Sequence, residues 1–184
     1  MKDNRGITIV ALIITIIILL IILGVSLGTG NDVITKSKLE NLKTNMLLIE
    51  VKAKEYIENA SFDLGTNIDS ESLSGEEKND RISSAKEEFI GTEITKDDVS
   101  IFSDNLNITS AQIEEDNSQY IYYYKLTTEN LEEMGLKDIK SDNSNGWYIV
   151  KYDIKDDEVE IYNTKGYKDG ETALYSLNEL KEIY

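Results

Sequence analysis

The hydrophobic pattern along the chain begins with an uninterrupted apolar run near the N-terminus. Residues Ile7–Leu27 contain no charged residue and no proline, and 16 of these 21 residues are Ile, Leu or Val. An α-helix of this length spans about 30 Å, the thickness of the hydrocarbon core of a bilayer. The run therefore predicts one transmembrane helix, surrounded by membrane lipid.

The charges on either side of this run predict its orientation. The short tip before it, residues 1–6, carries Lys2 and Arg5 against Asp3, whereas the first base after it is Lys36. Basic residues next to a membrane helix stay on the cytoplasmic side. We therefore expect a single-pass protein of the cell membrane, with residues 1–6 as a cytoplasmic leader and everything after the span outside the cytoplasm.

The pattern becomes amphipathic after the span and predicts a helical continuation over residues 28–60. Apolar residues recur there at alternating spacings of three and four, which places them on one stripe of a helix. This stripe forms either a coiled-coil seam or the face of a helix laid on a sheet of the same chain, and we favour the second because it covers only about three heptads. The stripe consists of Leu39, Leu42, Met46, Ile49, Ala53 and Tyr56.

Residues 61–118 form a polar, variable region with little regular pattern. Its first part, Ser61–Asp80, is acidic and poor in apolar residues, and we interpret it as a long loop. A short helix from about Arg81 to Ile90 follows and ends at Gly91. The stretch Val99–Phe102 predicts a short strand.

Residues 119–184 return to a clear pattern and predict an antiparallel sheet with short helices. Apolar and polar residues alternate in strand fashion, with a turn-prone Lys-Asp-Asp sequence between the last two predicted strands. The predicted elements are a strand at Tyr120–Leu126, a helix capped by Thr127 or Thr128 that stops at Gly135, and a hairpin of Trp147–Ile154 with Val159 and Ile161.

A terminal helix over Leu177–Ile183 completes the prediction. Ser176 and Glu179 match the capping box, in which each side chain bonds the other residue's backbone N–H. The expected fold class is α+β: an N-terminal transmembrane helix that continues into a long amphipathic helix packed on a small antiparallel sheet.

Charge excludes one class of partner. The chain contains 19 basic and 35 acidic residues, so its formal net charge is −16. Nucleic acid is bound through cationic patches that displace counterions, and an acidic domain of this kind does not supply them. We expect no nucleic-acid partner.

Composition also limits the chemistry of the extracytoplasmic domain. The chain has no cysteine and no histidine, which excludes disulfides, thiol nucleophiles, Ser-His-Asp triads and zinc sites built on these residues. Acidic clusters at Glu114–Asp116, Asp138–Asp142 and Asp153–Glu158 do not match the spacing of a calcium loop, and no carboxylate pair is placed across a cleft. We therefore expect no catalytic residue, no metal and no cofactor.

Tyrosines are concentrated in the predicted strands. They include Tyr122, Tyr123, Tyr124, Tyr148 and Tyr152. Alternation along a strand predicts that half of them face the core and half face solvent, where they would offer a sticky surface for a binding partner.

The N-terminal edge of the apolar run resembles a known export signal. Residues 4–12 read Asn-Arg-Gly-Ile-Thr-Ile-Val-Ala-Leu and continue directly into the apolar helix. This edge is similar to the processing segment of bacterial type IV prepilins and type II secretion pseudopilins. The resemblance implies that a prepilin peptidase cuts after Gly6 and that Ile7 becomes the methylated N-terminus, which leaves 178 of the 184 residues.

One position departs from the family pattern. Major pilin subunits carry a glutamate five residues into the mature chain, where its carboxylate offsets the N-terminal ammonium of a neighbour. This chain has Ala11 there. An unpaired ammonium is costly in a low dielectric, so the resemblance implies a minor subunit that assembles with other pilin-like subunits rather than a long homopolymer.

Two other interpretations of the N-terminus stay open. In the first, the chain is an unprocessed single-pass anchor that carries an extracytoplasmic binding module. In the second, Ser26-Leu27-Gly28 is the end of a cleaved secretory signal, although an apolar core of 21 residues exceeds the usual 7–15. We expect a structural pilin-like or minor pseudopilin-like subunit of a pilus, secretion or uptake assembly.

Overall fold

A computed structural model describes residues 36–102, 106, 108–169 and 172–183 of the chain. The chain divides into two compact units, Met1–Asn41 and Leu42–Tyr184. Within the first unit the described residues, 36–41, are helical, and Leu39 is the buried one among them. No helix within the described ranges is both long and apolar enough to cross a membrane. The predicted processing residues Gly6 and Ile7 and the predicted span Ile7–Leu27 lie outside those ranges.

The second unit is an α+β domain built on a long helix and a five-stranded antiparallel sheet. The helix, α1, covers 36–64 of the described residues, and its part from residue 42 onward belongs to this unit. The strands follow one another in space in the order of the sequence, from β1 to β5. The remaining elements are α2 (Gly75–Glu87), β1 (Thr92–Glu93), a 3-10 turn (Val99–Ile101), α3 (Ser110–Ser118), β2 (Ile121–Leu126), α4 (Thr128–Glu133), β3 (Tyr148–Asp153), β4 (Glu158–Asp169), β5 (Thr172–Ser176) and α5 (Leu177–Glu182).

The sequence sets where three of the short helices begin. Each starts with a hydroxyl residue whose oxygen accepts the backbone N–H three residues later, while that later residue bonds back to the cap. This reciprocal pair satisfies two backbone donors that have no partner inside the helix. The three pairs are Ser74 with Glu77, Thr127 with Asn130 and Ser176 with Glu179.

The register of the sheet places tyrosines opposite other large side chains. Tyr124 lies opposite Val150, which in turn lies opposite Ile161, so one face of the three central strands is continuous. The helix α1 lies on this side, where the Asn45 amide donates a 3.4 Å hydrogen bond to the Tyr148 hydroxyl. The α+β class and the helix packed on an antiparallel sheet are thus confirmed.

The opposite face of the sheet has a core of its own. Ile94, Phe102 and Ile113 cover Tyr123 and Ile149 there, and all five are buried. Phe102 meets Tyr123 edge to face, with ring centroids 5.7 Å apart. Both faces of the sheet are therefore covered.

The second core corrects the expectation for the tyrosines. Tyr122, Tyr123 and Tyr124 are consecutive, yet they are only 5%, 2% and 5% exposed. Alternation does send them to opposite faces, but elements between residues 94 and 116 cover the face that was expected to meet solvent. The tyrosine-rich strands form core rather than an exposed binding surface.

The middle of the chain is more regular than its composition indicated. The predicted loop Ser61–Asp80 contains the end of α1 and the start of α2, which the Ser74 capping box fixes six residues before the expected start. The predicted strand Val99–Phe102 is instead a 3-10 turn that delivers Phe102 to the second core. The helix α1 also continues four residues past its predicted end at residue 60.

The last third agrees more closely with its prediction. The strand β2, the β3–β4 hairpin and the capped terminal helix all lie where the pattern placed them. The strand β4 is far longer than Val159–Ile161, and the sequence analysis missed β1, β5 and the helix α3.

Tyr152 sits at the centre of the core with its hydroxyl unpaired. Its ring stacks on Phe89, with centroids 3.9 Å apart and planes 11° from parallel. The residue is fully buried, and its oxygen has no hydrogen-bond partner among the described residues. Burial raises the pKa of this phenol, so the group is neutral but desolvated.

We expect Tyr152→Phe to stabilise the protein. The substitution removes a desolvated hydroxyl and keeps the ring, so the free energy of unfolding should rise by about 1 kcal/mol. Tyr123→Phe is the contrasting variant, because the Tyr123 hydroxyl donates a 2.6 Å hydrogen bond to the buried Asp116 carboxylate. Loss of this hydrogen bond should lower the free energy of unfolding by about 2 kcal/mol. Thermal unfolding of the full chain in detergent, followed by near-ultraviolet circular dichroism, measures both; a Tyr152→Phe variant that melts below the wild type contradicts the assignment.

Candidate assembly surface

The inner face of α1 is a continuous stripe of buried side chains. Its members within residues 42–64 are all 2% exposed or less and recur at spacings of three and four. A stripe of this period stays on one side of a helix. It consists of Met46, Ile49, Ala53, Ile57, Ala60 and Leu64.

The predicted stripe shares several of its residues with this inner face, but two of its residues lie at the border of the face and are only half-buried. Leu42 and Tyr56 are half-buried, whereas Met46, Ile49 and Ala53 are buried completely. The sequence analysis missed the continuation through Ile57, Ala60 and Leu64. The signal was present, because the spacing of three and four continues unbroken after Ala53.

Polar contacts fix the rotation of the helix about its own axis. The Lys181 ammonium of α5 lies 3.2 and 3.1 Å from the two carboxylate oxygens of Glu50. Lys54, one turn further along the helix, pairs with the same carboxylate at 3.4 Å. Together with the bond from Asn45 to Tyr148, these contacts hold the inner face against the sheet.

The outer face of α1 exposes large apolar side chains. Leu47, Leu48 and Val51 are 36%, 45% and 63% exposed, and Phe62 near the helix end is 86% exposed. Residues three and four apart are neighbours on a helix, so the first three form one cluster. Phe62 follows Val51 by eleven residues, which returns it to the same side about 16 Å further along the helix. We call these four residues the outer apolar face.

Charged residues lie between the two parts of the outer apolar face. Glu55 is exposed there and accepts a 2.7 Å hydrogen bond from the Lys52 ammonium. This hydrogen bond, followed by the charge of Glu55, raises the pKa of Lys52. On the flank, partial burial raises the pKa of the Tyr56 phenol. Lys52 and Glu55 are thus paired with each other, which lowers the cost of desolvating them against a partner. Glu58, two turns after Val51, is by contrast an exposed acid on the same side.

The outer apolar face can contribute to association with another protein. Complete burial of a Leu, Val or Phe side chain is worth about 1.5–3 kcal/mol. A stable interface between two proteins usually buries about 800 Å² on each partner, more than four side chains supply. The face is therefore suited to be one part of a longer helix contact.

The acidic clusters do not converge on a metal site. Glu114 pairs with Lys96 at 2.6 Å, and Asp116 turns inward to Tyr123 and Gln112. Asp142 is occupied by backbone donors of its own loop. Among the residues that the structure describes, no group of three or more Asp or Glu side chains is arranged to hold a metal ion.

Comparison with known proteins identified no similar protein. No protein-family model, no curated protein and no solved structure matches the chain.

The two faces of α1 should respond in opposite ways to truncation. Ile49→Ala leaves a cavity beneath the helix and should lower the free energy of unfolding by about 2–5 kcal/mol. Val51→Ala, two residues away on the outer apolar face, should change it by about 0.5 kcal/mol or less. Denaturant unfolding of both full-length variants, dispersed in detergent, measures the difference. Equal losses at the two positions would mean that the faces are wrongly assigned.

Proposed function

We propose that this chain is a pilin-like or minor pseudopilin-like subunit of an extracytoplasmic pilus, secretion or uptake assembly. In this proposal a prepilin peptidase cuts after Gly6, Ile7–Leu27 anchors the subunit in the membrane, and the acidic domain is displayed outside the cytoplasm. The partners are membrane lipid, the peptidase and other pilin-like subunits. The subunit acts by packing and catalyses nothing.

The observation that carries the proposal is that one face of α1 is buried in the domain core while the other face exposes apolar side chains. The inner face, which contains Met46 and Ile49, is the wall of the domain core, whereas the outer apolar face is free on the described part of the chain. A helix that only had to close its own domain would gain nothing from exposing Leu48, Val51 and Phe62, because exposed apolar clusters promote association. A helix that also contacts a neighbouring subunit needs such a face.

The order of segments along the chain supports the same role. The apolar run Ile7–Leu27 is separated by eight residues from the start of the described part of α1, and the prepilin-like edge at Arg5-Gly6 precedes the run. Assembly through a membrane-embedded helix followed by an exposed helix face requires these segments in this order. The absence of cysteine and histidine from the sequence agrees with a role that needs no chemistry.

The absence of a carboxylate at Ala11 favours a minor subunit. In the mature chain this position would be the fifth, where a carboxylate normally balances a neighbour's ammonium. A subunit without it can occupy a position that needs no such balance, such as the end of an assembly, at no electrostatic cost.

The mass of the native protein tests the proposal. Extraction from the native membrane should yield a chain that has lost Met1–Gly6 and gained one methyl group at Ile7, because the peptidase acts at the cytoplasmic face. Intact-mass spectrometry measures both changes in a single spectrum.

A pair of glycine variants provides the control. Gly6→Val should block processing and leave the full-length chain in the membrane, whereas Gly30→Val, which lies beyond the span, should be processed like the wild type. A wild-type chain that keeps Met1–Gly6 in its native membrane would overturn the proposal and favour an unprocessed anchor. Cleavage near Ser26 would instead identify a secretory signal.

A further inference from the structure

The loop Asp142–Gly146, between α4 and β3, contains the only Asn-Gly pair in the chain, Asn145-Gly146. Asparagine followed by glycine is chemically labile, because a residue without a side chain leaves its backbone nitrogen open to approach by the preceding amide. Asn145 is exposed, so solvent reaches the side chain that would react.

The fold requires glycine at position 146. Its φ is +87°, a backbone conformation that L side chains rarely adopt. A Cβ atom there would lie 2.5 Å from Oδ1 of Asn163 and 2.7 Å from Cβ of Lys165. No side chain fits in that space, so the chain cannot remove the lability by replacing the glycine.

Asp142 holds the labile amide in place. Nδ2 of Asn145 donates hydrogen bonds of 3.0 Å to both oxygens of the Asp142 carboxylate. The same carboxylate accepts the backbone N–H groups of Ser144 and Asn145, each at 2.8 Å. The side-chain amide and the backbone before Gly146 are thus fixed by one residue, which we call the Asp142 clamp.

We propose that Asn145 is a deamidation site and that the Asp142 clamp protects it in the folded protein. In the reaction the deprotonated backbone nitrogen of Gly146 attacks Cγ of Asn145. Water takes the proton from the Gly146 N–H and returns one to Nδ2. A bond forms between the Gly146 nitrogen and Cγ, the bond from Cγ to the protonated Nδ2 breaks, and ammonia leaves. Water then opens the resulting succinimide ring at either carbonyl, which gives aspartate or isoaspartate with no change in oxidation state.

The clamp opposes this reaction by restricting the side chain. Attack requires Cγ to come within bonding distance of the nitrogen of Gly146, and any rotation of the Asn145 side chain breaks both hydrogen bonds from Nδ2. Those bonds are made to an ionised acceptor and are therefore stronger than bonds between neutral groups.

Deamidation would turn the clamp into a repulsive pair. The aspartate product places a second carboxylate at the position where Nδ2 now lies 3.0 Å from each Asp142 oxygen, and isoaspartate reroutes the backbone through Cγ, which removes Nδ2 from the clamp altogether. Two hydrogen bonds tie this loop to β4: Nδ2 of Asn163 donates to the carbonyl of Asn145 at 3.5 Å, and Nζ of Lys165 donates to the carbonyl of Ser144 at 2.6 Å. We expect these bonds to open in the product, so the modification would loosen the start of β3 irreversibly.

Incubation of the full chain, folded in detergent micelles or unfolded in concentrated urea, tests the proposal. Peptide mass spectrometry measures the conversion of Asn145, and chromatographic separation distinguishes aspartate from isoaspartate. The wild type should convert at least about tenfold more slowly when folded than in urea. Asp142→Ala should remove most of this protection in the folded state and convert at the wild-type rate in urea.

Two further variants make the result decisive. Asp138→Ala removes an exposed acid four residues earlier and should leave the protection unchanged. Asp142→Asn keeps one acceptor oxygen but loses the charge, so its folded-state rate should lie between those of the wild type and Asp142→Ala. Near-ultraviolet circular dichroism shows that each variant is folded at the start. Equal rates for folded wild type and folded Asp142→Ala, equal rates for wild type in both states, or no conversion in urea would each overturn the proposal.

Discussion

The burial of one face of α1 against the sheet is the interaction on which the rest of the structure depends. Six side chains from Met46 to Leu64 form this contact, and none is more than 2% exposed. At about 1.5–3 kcal/mol for each large side chain, their burial is comparable with the whole net stability of a domain of this size. No disulfide can share this role, because the chain has no cysteine. The domain is therefore held together by noncovalent contacts, of which the hydrophobic core is the largest.

The inner face of α1 packs in the core, so the rotation of the helix about its own axis determines which side chains face solvent. The contacts of Glu50 with Lys181 and of Asn45 with Tyr148 fix that rotation. The outer apolar face is therefore held in a defined orientation before any partner binds. A preorganised surface loses less entropy on association than a mobile one, so even a small apolar face can contribute to assembly. The second core, around Tyr123 and Ile149, stiffens the sheet from the other side.

The parts of the fold that the sequence predicted are those with local signals. The capping box at Ser176 and the period of the α1 stripe each depend on residues a few positions apart. The wrong predictions concern segments whose burial depends on residues far away in the sequence. Half of the tyrosines were expected to face solvent, because nothing in the sequence of β2 indicates that Ile94, Phe102 and Ile113 cover Tyr123. Ser74 and Glu77 carried a local signal that was hidden within an acidic stretch. The sequence analysis missed the outer apolar face because it followed the regular spacing of the buried stripe. Leu48 and Val51 lie on the opposite side of the helix and are not part of that spacing.

Site-specific cross-linking is the most direct test of the claim that the outer apolar face meets another subunit. The chain contains no cysteine, so one introduced at Val51 is unique, and Lys137→Cys provides an exposed control on a loop. A thiol-reactive photo-cross-linker attached to the introduced cysteine needs no cysteine on the partner. On irradiation of native membranes it should join Val51→Cys to a second chain, while Lys137→Cys stays monomeric. Mass spectrometry of the product should place the partner's linked residue in the N-terminal helix of a pilin-like chain. A Val51→Cys protein that remains monomeric, or that reacts no more than the control, would contradict the account.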